Sequence, residues 1–255
     1  MAGVLIEKTE ERWTITLNAP DRLNALGKTV VSDLLEAARD VGNEKTVRAV
    51  VLKGSGKGFC AGADLKERNG MTEEEVRSFV SLLNETFNYI SQSPKVWISA
   101  IHGFCLGGGL ELALCTDIRI AHKDTNVGLP EVRRGILPGA GGTQRLPRLI
   151  GMAKAKSLIL TGRTVKADEG EKLGLFNEIS DDLDALADRW ASEICKCAPI
   201  SLTQAKRALE GGWDLSLNEG LCLERACYEV IIPTEDRLEG LKAFAEKREP
   251  KFKGQ

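Results

Sequence analysis

The order of apolar segments along the chain predicts an α/β fold with crossover connections, closed by a helical tail. Three observations carry this. Short strand-like runs alternate with amphipathic helical stretches as far as residue 121, glycines cluster where strands would hand over to helices, and after about residue 185 the apolar spacing is helical only.

The elements follow in order. Trp13-Thr14-Ile15-Thr16-Leu17 alternates apolar and polar residues, as a half-buried strand does, and Asn18-Ala19-Pro20-Asp21 reads as the turn that ends it. Residues 28 to 41 place Val31, Leu34, Leu35, Ala38 and Val41 on one helical face. Arg48-Ala49-Val50-Val51-Leu52 is a second strand, and Gly54-Ser55-Gly56-Lys57-Gly58 a glycine-rich loop. Thr72 and Glu75 have capping-box spacing ahead of a helix whose apolar stripe is Val76, Val80, Leu83, Phe87 and Ile90, and Ser93-Pro94 stops it. Val96 to Ile101 is a third strand. Gly107-Gly108-Gly109 opens a helix over Leu110 to Leu114, and Asp117-Ile118-Arg119-Ile120-Ala121 is a fourth strand. Helices are expected over 184–197, 200–211 and 235–247. A boundary near Pro199 divides a core, residues 1–198, from a helical region, residues 199–255. No low-complexity segment and no internal repeat stands out.

Composition excludes several classes. With 42% apolar and 28% charged residues the chain is ordinary for a globular domain, and 255 residues are enough for one sizeable core. A net charge of −2 argues against a phosphate-backbone binder, so no nucleic-acid partner is expected. The seven cysteines form no C-x-x-C pair, Cys195 and Cys197 stand one residue apart, and the only histidines are His102 and His122, so no metal site is expected. The cysteines read as reduced thiols. No apolar run reaches the roughly 20 residues of a membrane span. Met1-Ala2-Gly3-Val4-Leu5 shows neither a charged leader segment nor an apolar stretch after it. A reducing cytoplasm fits, as does a mitochondrial matrix once a presequence is removed.

Nucleotide motifs fail on spacing. Gly27-Lys28-Thr29 resembles the end of a phosphate loop, but Arg22 stands where its first glycine belongs; Gly54-Ser55-Gly56 lacks the third glycine of a dinucleotide fingerprint, since position 59 is Phe59. No Ser or Thr follows Lys57 in Gly56-Lys57-Gly58.

Three stretches can carry chemistry. In Cys60-Ala61-Gly62-Ala63-Asp64-Leu65 the small residues either form a tight turn or let a ligand approach the Ala63 N–H. In Gly103 to Glu111, a strand runs into three glycines and a helix start, where free N–H groups and the helix dipole favour a negatively charged oxygen. Glu111 sits one turn inside, among Leu110, Leu112, Ala113 and Leu114. It lies either on an exposed face or buried, where desolvation would raise its pKa and suit it to acid–base work. Glu131 follows Pro130 in a loop that soon reaches Gly139-Ala140-Gly141-Gly142, and a lone loop carboxylate is usually just solvated.

Together these segments resemble the enoyl-CoA hydratase (crotonase) family. The match runs through Cys60-Ala61-Gly62-Ala63-Asp64-Leu65-Lys66-Glu67, Leu106 to Leu112, Cys115-Thr116-Asp117-Ile118-Arg119, Pro130-Glu131 and Ile136 to Leu146, and reaches the tail in Thr234 to Gly240 and Glu246-Lys247-Arg248. The resemblance implies a crotonase (ClpP-like) core of β-β-α turns wound into a superhelix, with a C-terminal all-helical region for oligomerisation into a trimer or a dimer of trimers. It implies that Ala63 and Gly108 offer N–H groups to the thioester oxygen of an acyl-CoA substrate, and that Glu111 and Glu131 share general acid and base roles in adding water to a 2-trans-enoyl-CoA. Related isomerases usually keep one of these two carboxylates. It further implies CoA or substrate contacts at Ala61, Asp64, Leu65, Lys66, Lys57, Gly139 and Lys247, with CoA as the substrate's handle and no separate cofactor.

Asp64-Leu65-Lys66-Glu67-Arg68 and Ile232 to Gly240 look most like the branch that contains methylglutaconyl-CoA hydratase. That branch includes an RNA-binding homologue with a lysine-rich first helix. Here the matching helix carries Lys28 and Arg39 against Asp33, Glu36 and Asp40, so RNA binding is not expected. A substrate with a second carboxylate would need a cation, for which Arg68 and Arg133 are candidates. Double-bond isomerisation and a non-catalytic binding role are the alternatives.

Overall fold

Alternation along the parallel strands builds two cores on one sheet. The computed structural model describes residues 3–255; Met1 and Ala2, on which the leader reading partly rests, lie outside the described residues. The strands are β1 (Val4–Lys8), β2 (Arg12–Leu17), β3 (Ala49–Gly54), β4 (Val96–Ile101), β5 (Phe104–Leu106), β6 (Ile118–His122), β7 (Asn126–Gly128), β8 (Thr164–Lys166) and β9 (Glu178–Ser180). The helices are α1 (Lys28–Asn43), α2 (Leu65–Arg68), α3 (Glu73–Ser91), α4 (Gly108–Ala113), α5 (Gly142–Ile150), α6 (Met152–Thr161), α7 (Ala167–Leu173), α8 (Leu183–Cys195), α9 (Pro199–Gly212), α10 (Leu217–Ile231) and α11 (Glu235–Glu246).

The larger sheet has the order β1-β2-β3-β4-β6-β9; β1 pairs antiparallel with β2 and every other pair is parallel. Its central strands β3 and β4 are apolar on both faces. Val50 and Leu52 of β3 join the main core with Leu34 of α1 and Phe87 of α3, whereas Ala49 and Val51 face Leu186, Ala187 and Ala191 of α8. A sheet covered on both sides reads as an unbroken apolar run, which is why β3 and β4 are legible in the sequence. The capping box at Thr72 and Glu75 starts α3 as its spacing predicts.

The second sheet, β5-β7-β8, is made of short strands, with β5 parallel to β7 and β7 antiparallel to β8. In the third turn the chain passes from β4 to β5 to α4, and in the fourth from β6 through β7 towards α5. Earlier turns have the same plan with single bridges in place of full strands, Leu26 beside Ala63 and Cys60 beside Cys105. The core is thus a stack of β-β-α turns, the superhelix that the resemblance implies.

The sequence reading has no helix over α5, α6 or α7, which lie between its fourth strand and its helical tail, and the other elements absent from it are of two kinds. Strands β5, β7, β8 and β9 have only three residues each, too short for a periodic signal. Edge strand β1 and helix α10 bury little: Cys227 is the one buried residue of α10, and Leu217, Leu221 and Tyr228 are exposed. The region beyond Pro199 is tied to the core by Lys206 of α9, which is buried and donates to Asp117 and to the Lys95 carbonyl. Among the described residues, no helix is long and apolar enough to cross a membrane.

Candidate active site

The two glycine turns are copies of each other in space. Ala63 and Gly108 each stand three residues beyond one of the bridged pair Cys60 and Cys105. The local sequences, Cys60-Ala61-Gly62-Ala63 and Cys105-Leu106-Gly107-Gly108, share the pattern of cysteine, any residue, glycine, small residue. This corrects the reading that no internal repeat is present: the repeat is four residues long, below what a scan for domain-sized repeats detects. In each copy the glycine before the donor has a positive φ, +96° at Gly62 and +53° at Gly107. That region suits glycine and turns the following N–H out of the strand ladder. The two turns also pack closely, since a Cβ on Gly62 would lie 2.8 Å from the Leu106 carbonyl oxygen and 3.3 Å from the Gly108 nitrogen. Neither the Ala63 nor the Gly108 N–H donates to another group among the described residues. Gly108 begins α4, so its N–H is one that a helix start leaves unpaired.

Between these donors and the start of α5 lies a cavity of about 110 Å³. Glu111 and Glu131 both line it, with Ala61, Ala63, Leu65 and Gly108 on one side and Gly139 on another.

Helix α4 is buried all round, so Glu111 has no exposed face to occupy and is 4% accessible. Its Oε1 accepts from the Ala140 and Gly142 N–H groups, 2.8 Å each. Burial raises its pKa above the usual carboxylate range, against the two N–H donors and the charge of Arg145, which pull it down. Glu131 opens the 3-10 helix Glu131–Arg134 and is also buried. Its Oε2 has no hydrogen-bond partner among the described residues, and a Cβ on Gly107 would come within 2.9 Å of its Oε1. Burial pushes its pKa up to about 7; its own backbone N–H and Arg134 oppose this, and the nearby Glu111 charge adds to it.

The other expected contacts are divided. Lys57, Lys66 and Lys247 are exposed and lie outside the cavity lining. Asp64 is buried but turned to structural use: Oδ1 caps α2 by accepting from Lys66 and Glu67 N–H, and Oδ2 lies 2.8 Å from Arg22 Nη1. Of the two candidate cations, Arg68 lines the cavity, whereas Arg133 donates to the Thr161 carbonyl at 2.7 Å and faces away. The adjacent Arg134 takes its place on the cavity wall. Sequence reasoning missed Arg134, the apolar wall of Val80, Leu83 and Leu137, and the Ala140 and Gly142 donors. In Arg133-Arg134 only the 3-10 turn decides which side chain faces the site, and the sequence does not show that turn.

Comparison with known proteins agrees with this geometry. The sequence profile described as Enoyl-CoA hydratase/isomerase matches residues 7–255. Human enoyl-CoA hydratase domain-containing protein 2, mitochondrial, is 47% identical over 247 residues, spanning 94% of this chain and 85% of its own. Human methylglutaconyl-CoA hydratase, mitochondrial, is 44% identical over 239 residues, spanning 91% of this chain and 70% of its own. The crystal structure of enoyl-CoA hydratase from Bacillus anthracis superposes with a TM-score of 0.97 at 43% identity, covering 99% of this chain and 100% of that one.

Proposed function

The chain belongs to the enoyl-CoA hydratase/isomerase family, and we propose that within it the reaction is hydration, the syn addition of water to a 2-trans-enoyl-CoA to give a 3-hydroxyacyl-CoA. The observation that carries this is the presence of two buried carboxylates, Glu111 and Glu131, in one cavity beside two free N–H groups. Isomerisation moves one proton along the acyl chain and needs a single shuttle; hydration needs a base for water and an acid for the α carbon.

The roles follow from the surroundings. The Ala63 and Gly108 N–H groups hold the thioester oxygen as it becomes an enolate, and such a donor is worth about 3–4 kcal/mol in the transition state. Glu111, whose two N–H donors favour its charged form against the effect of burial, takes the proton of the attacking water. Glu131, with its raised pKa and bare Oε2, holds a proton near neutrality and delivers it to the α carbon. The reaction needs no separate cofactor, because CoA is part of the substrate.

A finer reading concerns the acyl group. The side chains of Arg68 and Arg134 line the cavity and form no ion pair or side-chain hydrogen bond among the described residues, which supports an acyl group with an anionic far end. A methylglutaconyl-type substrate has such an end, as the 44% identical relative's name indicates. Lys57, Lys66 and Lys247 are assigned to CoA phosphates and Asp64 to shaping the CoA-side turn. Exposed Trp213, Leu217 and Phe244 in the helical region, at 68%, 78% and 87% accessibility, support self-association into trimers or paired trimers. Cytoplasm and mitochondrial matrix both fit, the latter in line with the mitochondrial relatives.

The test is loss of enoyl absorbance when the purified protein meets crotonyl-CoA and a carboxylated enoyl-CoA. Turnover of crotonyl-CoA that survives both Glu111→Gln and Glu131→Gln contradicts the assignment. Arg68→Ala and Arg134→Ala should raise KM for the carboxylated substrate at least tenfold and leave crotonyl-CoA nearly unchanged; equal effects on both would remove the acyl reading alone.

A further inference from the structure

We propose that Asn84 on α3 is a positioning residue that acts on Glu111 through the peptide bond between Gly139 and Ala140. The inference rests on the assignment of Glu111 as the base. The side-chain amide of Asn84 donates to the Gly139 carbonyl at 3.0 Å. That carbonyl belongs to the same peptide unit whose N–H, on Ala140, donates to Glu111 Oε1 at 2.8 Å. A donor on the oxygen of a peptide group polarises it and strengthens its N–H as a donor. Asn84 is therefore the first link of a chain of two hydrogen bonds that ends on the catalytic carboxylate.

The orientation of the amide is fixed by its own partners. Asn84 Nδ2 also donates to the Val80 carbonyl, at 2.8 Å, so both its hydrogens are committed to carbonyl oxygens. Exchanging nitrogen and oxygen would set the amide oxygen against two acceptors. The next peptide is held from the same helix. Arg145 Nη1 donates to the Ala140 carbonyl at 3.1 Å, and its Nη2 donates at 2.7 Å to Oδ1 of Asn88, one turn on from Asn84. Helix α3, which also supplies Val80 and Leu83 to the cavity wall, thus fixes the loop that carries both donors to Glu111.

Loss of the Asn84 side chain is not a folding lesion in this setting. Val80 keeps the α-helical bond from the Asn84 backbone N–H, and Gly139 is exposed, so water can take over its carbonyl. What is lost is stabilisation of the ionised form of Glu111, so its pKa rises.

The experiment is the pH profile of kcat/KM for Asn84→Ala and Asn84→Asp beside the unaltered protein, with thermal unfolding of all three. The acidic limb, set by Glu111, should move to higher pH by about 0.5–1 unit in Asn84→Ala and further in Asn84→Asp, whose carboxylate both opposes the carbonyls and adds a like charge. The alkaline limb, set by Glu131, should stay, and the unfolding midpoint of Asn84→Ala should shift little. An acidic limb that stays in place in both variants overturns the relay, whether or not the rate falls uniformly. Lack of hydration by the unaltered protein would instead overturn the assignment of Glu111.

Discussion

Glu111 and Glu131 line the same cavity, yet one is surrounded by donors and the other by none on its free oxygen. Glu111 enters on a helix buried on every side, and the α5 loop folds back to place two N–H groups on it. Glu131 enters on a 3-10 turn against glycine backbone, with burial unrelieved at Oε2. The lesson is that two identical side chains are biased in different ways by what the chain places beside them, which is the ground for the proposed base and acid: N–H donors favour the charged form, desolvation the neutral one.

The largest test of that contrast is substitution of each carboxylate. Glu111→Gln and Glu131→Gln should each cost about 10²–10⁴-fold in kcat, measured by hydration of an enoyl-CoA. The contrast predicts different residual profiles. Glu111→Gln should lose the acidic limb of the pH dependence, and Glu131→Gln the alkaline limb, at an apparent pKa near 7. Identical profiles in the two variants would erase the division of roles.

Next in size is the donor pair that both carboxylates serve. Gly108 is the first residue of α4, a position where proline is tolerated. Gly108→Pro removes the N–H donor, whereas Gly108→Ala keeps it and shares with proline the added Cβ 3.1 Å from Leu26 Cδ1. The proline variant should fall about 10²–10³-fold below the alanine variant in kcat. Equal rates would remove the Gly108 N–H from the mechanism.

A smaller effect sharpens the comparison through stability. The raised pKa of Glu131 means that its proton binds more tightly in the folded state, so the folded protein loses stability as pH rises from about 4.5 through about 7. Glu131→Gln should therefore gain over the unaltered protein between pH 5 and pH 8. Discounted for solvent reached through the cavity, the gain is on the order of 1–2 kcal/mol, or about 2–8 °C in Tm. Glu111→Gln should gain less, because its carboxylate is compensated by two N–H groups. The smallest effect is expected from Lys57→Ala with Lys66→Ala, a severalfold rise in KM that shrinks as salt is added.

Much of this was legible in the sequence. The buried strands announced themselves because both faces are apolar, as in Val50-Val51-Leu52, and the capping box announced α3. Glu111, Glu131 and the two glycine turns were each open to a surface or turn reading on residue type alone, and only the resemblance to a family joined them into one site. The three-residue strands that align the turns did not stand out, nor did the match between Cys60-Ala61-Gly62-Ala63 and Cys105-Leu106-Gly107-Gly108 show its meaning until the two cysteines were seen side by side. Arg134 rather than Arg133, and Asn84 behind Glu111, depend on which way a turn or a helix face points across more than 20 residues of sequence, a tertiary fact that no local pattern encodes.

The central claim is that this cavity adds water. Turnover of crotonyl-CoA in heavy-oxygen water, followed by mass spectrometry of the product, tests it most directly. The account predicts a 3-hydroxyacyl-CoA heavier than the substrate by one water and carrying the solvent oxygen, and its loss in the Glu111→Gln and Glu131→Gln variants. A product of unchanged mass with its double bond moved, or no product at all, would contradict it.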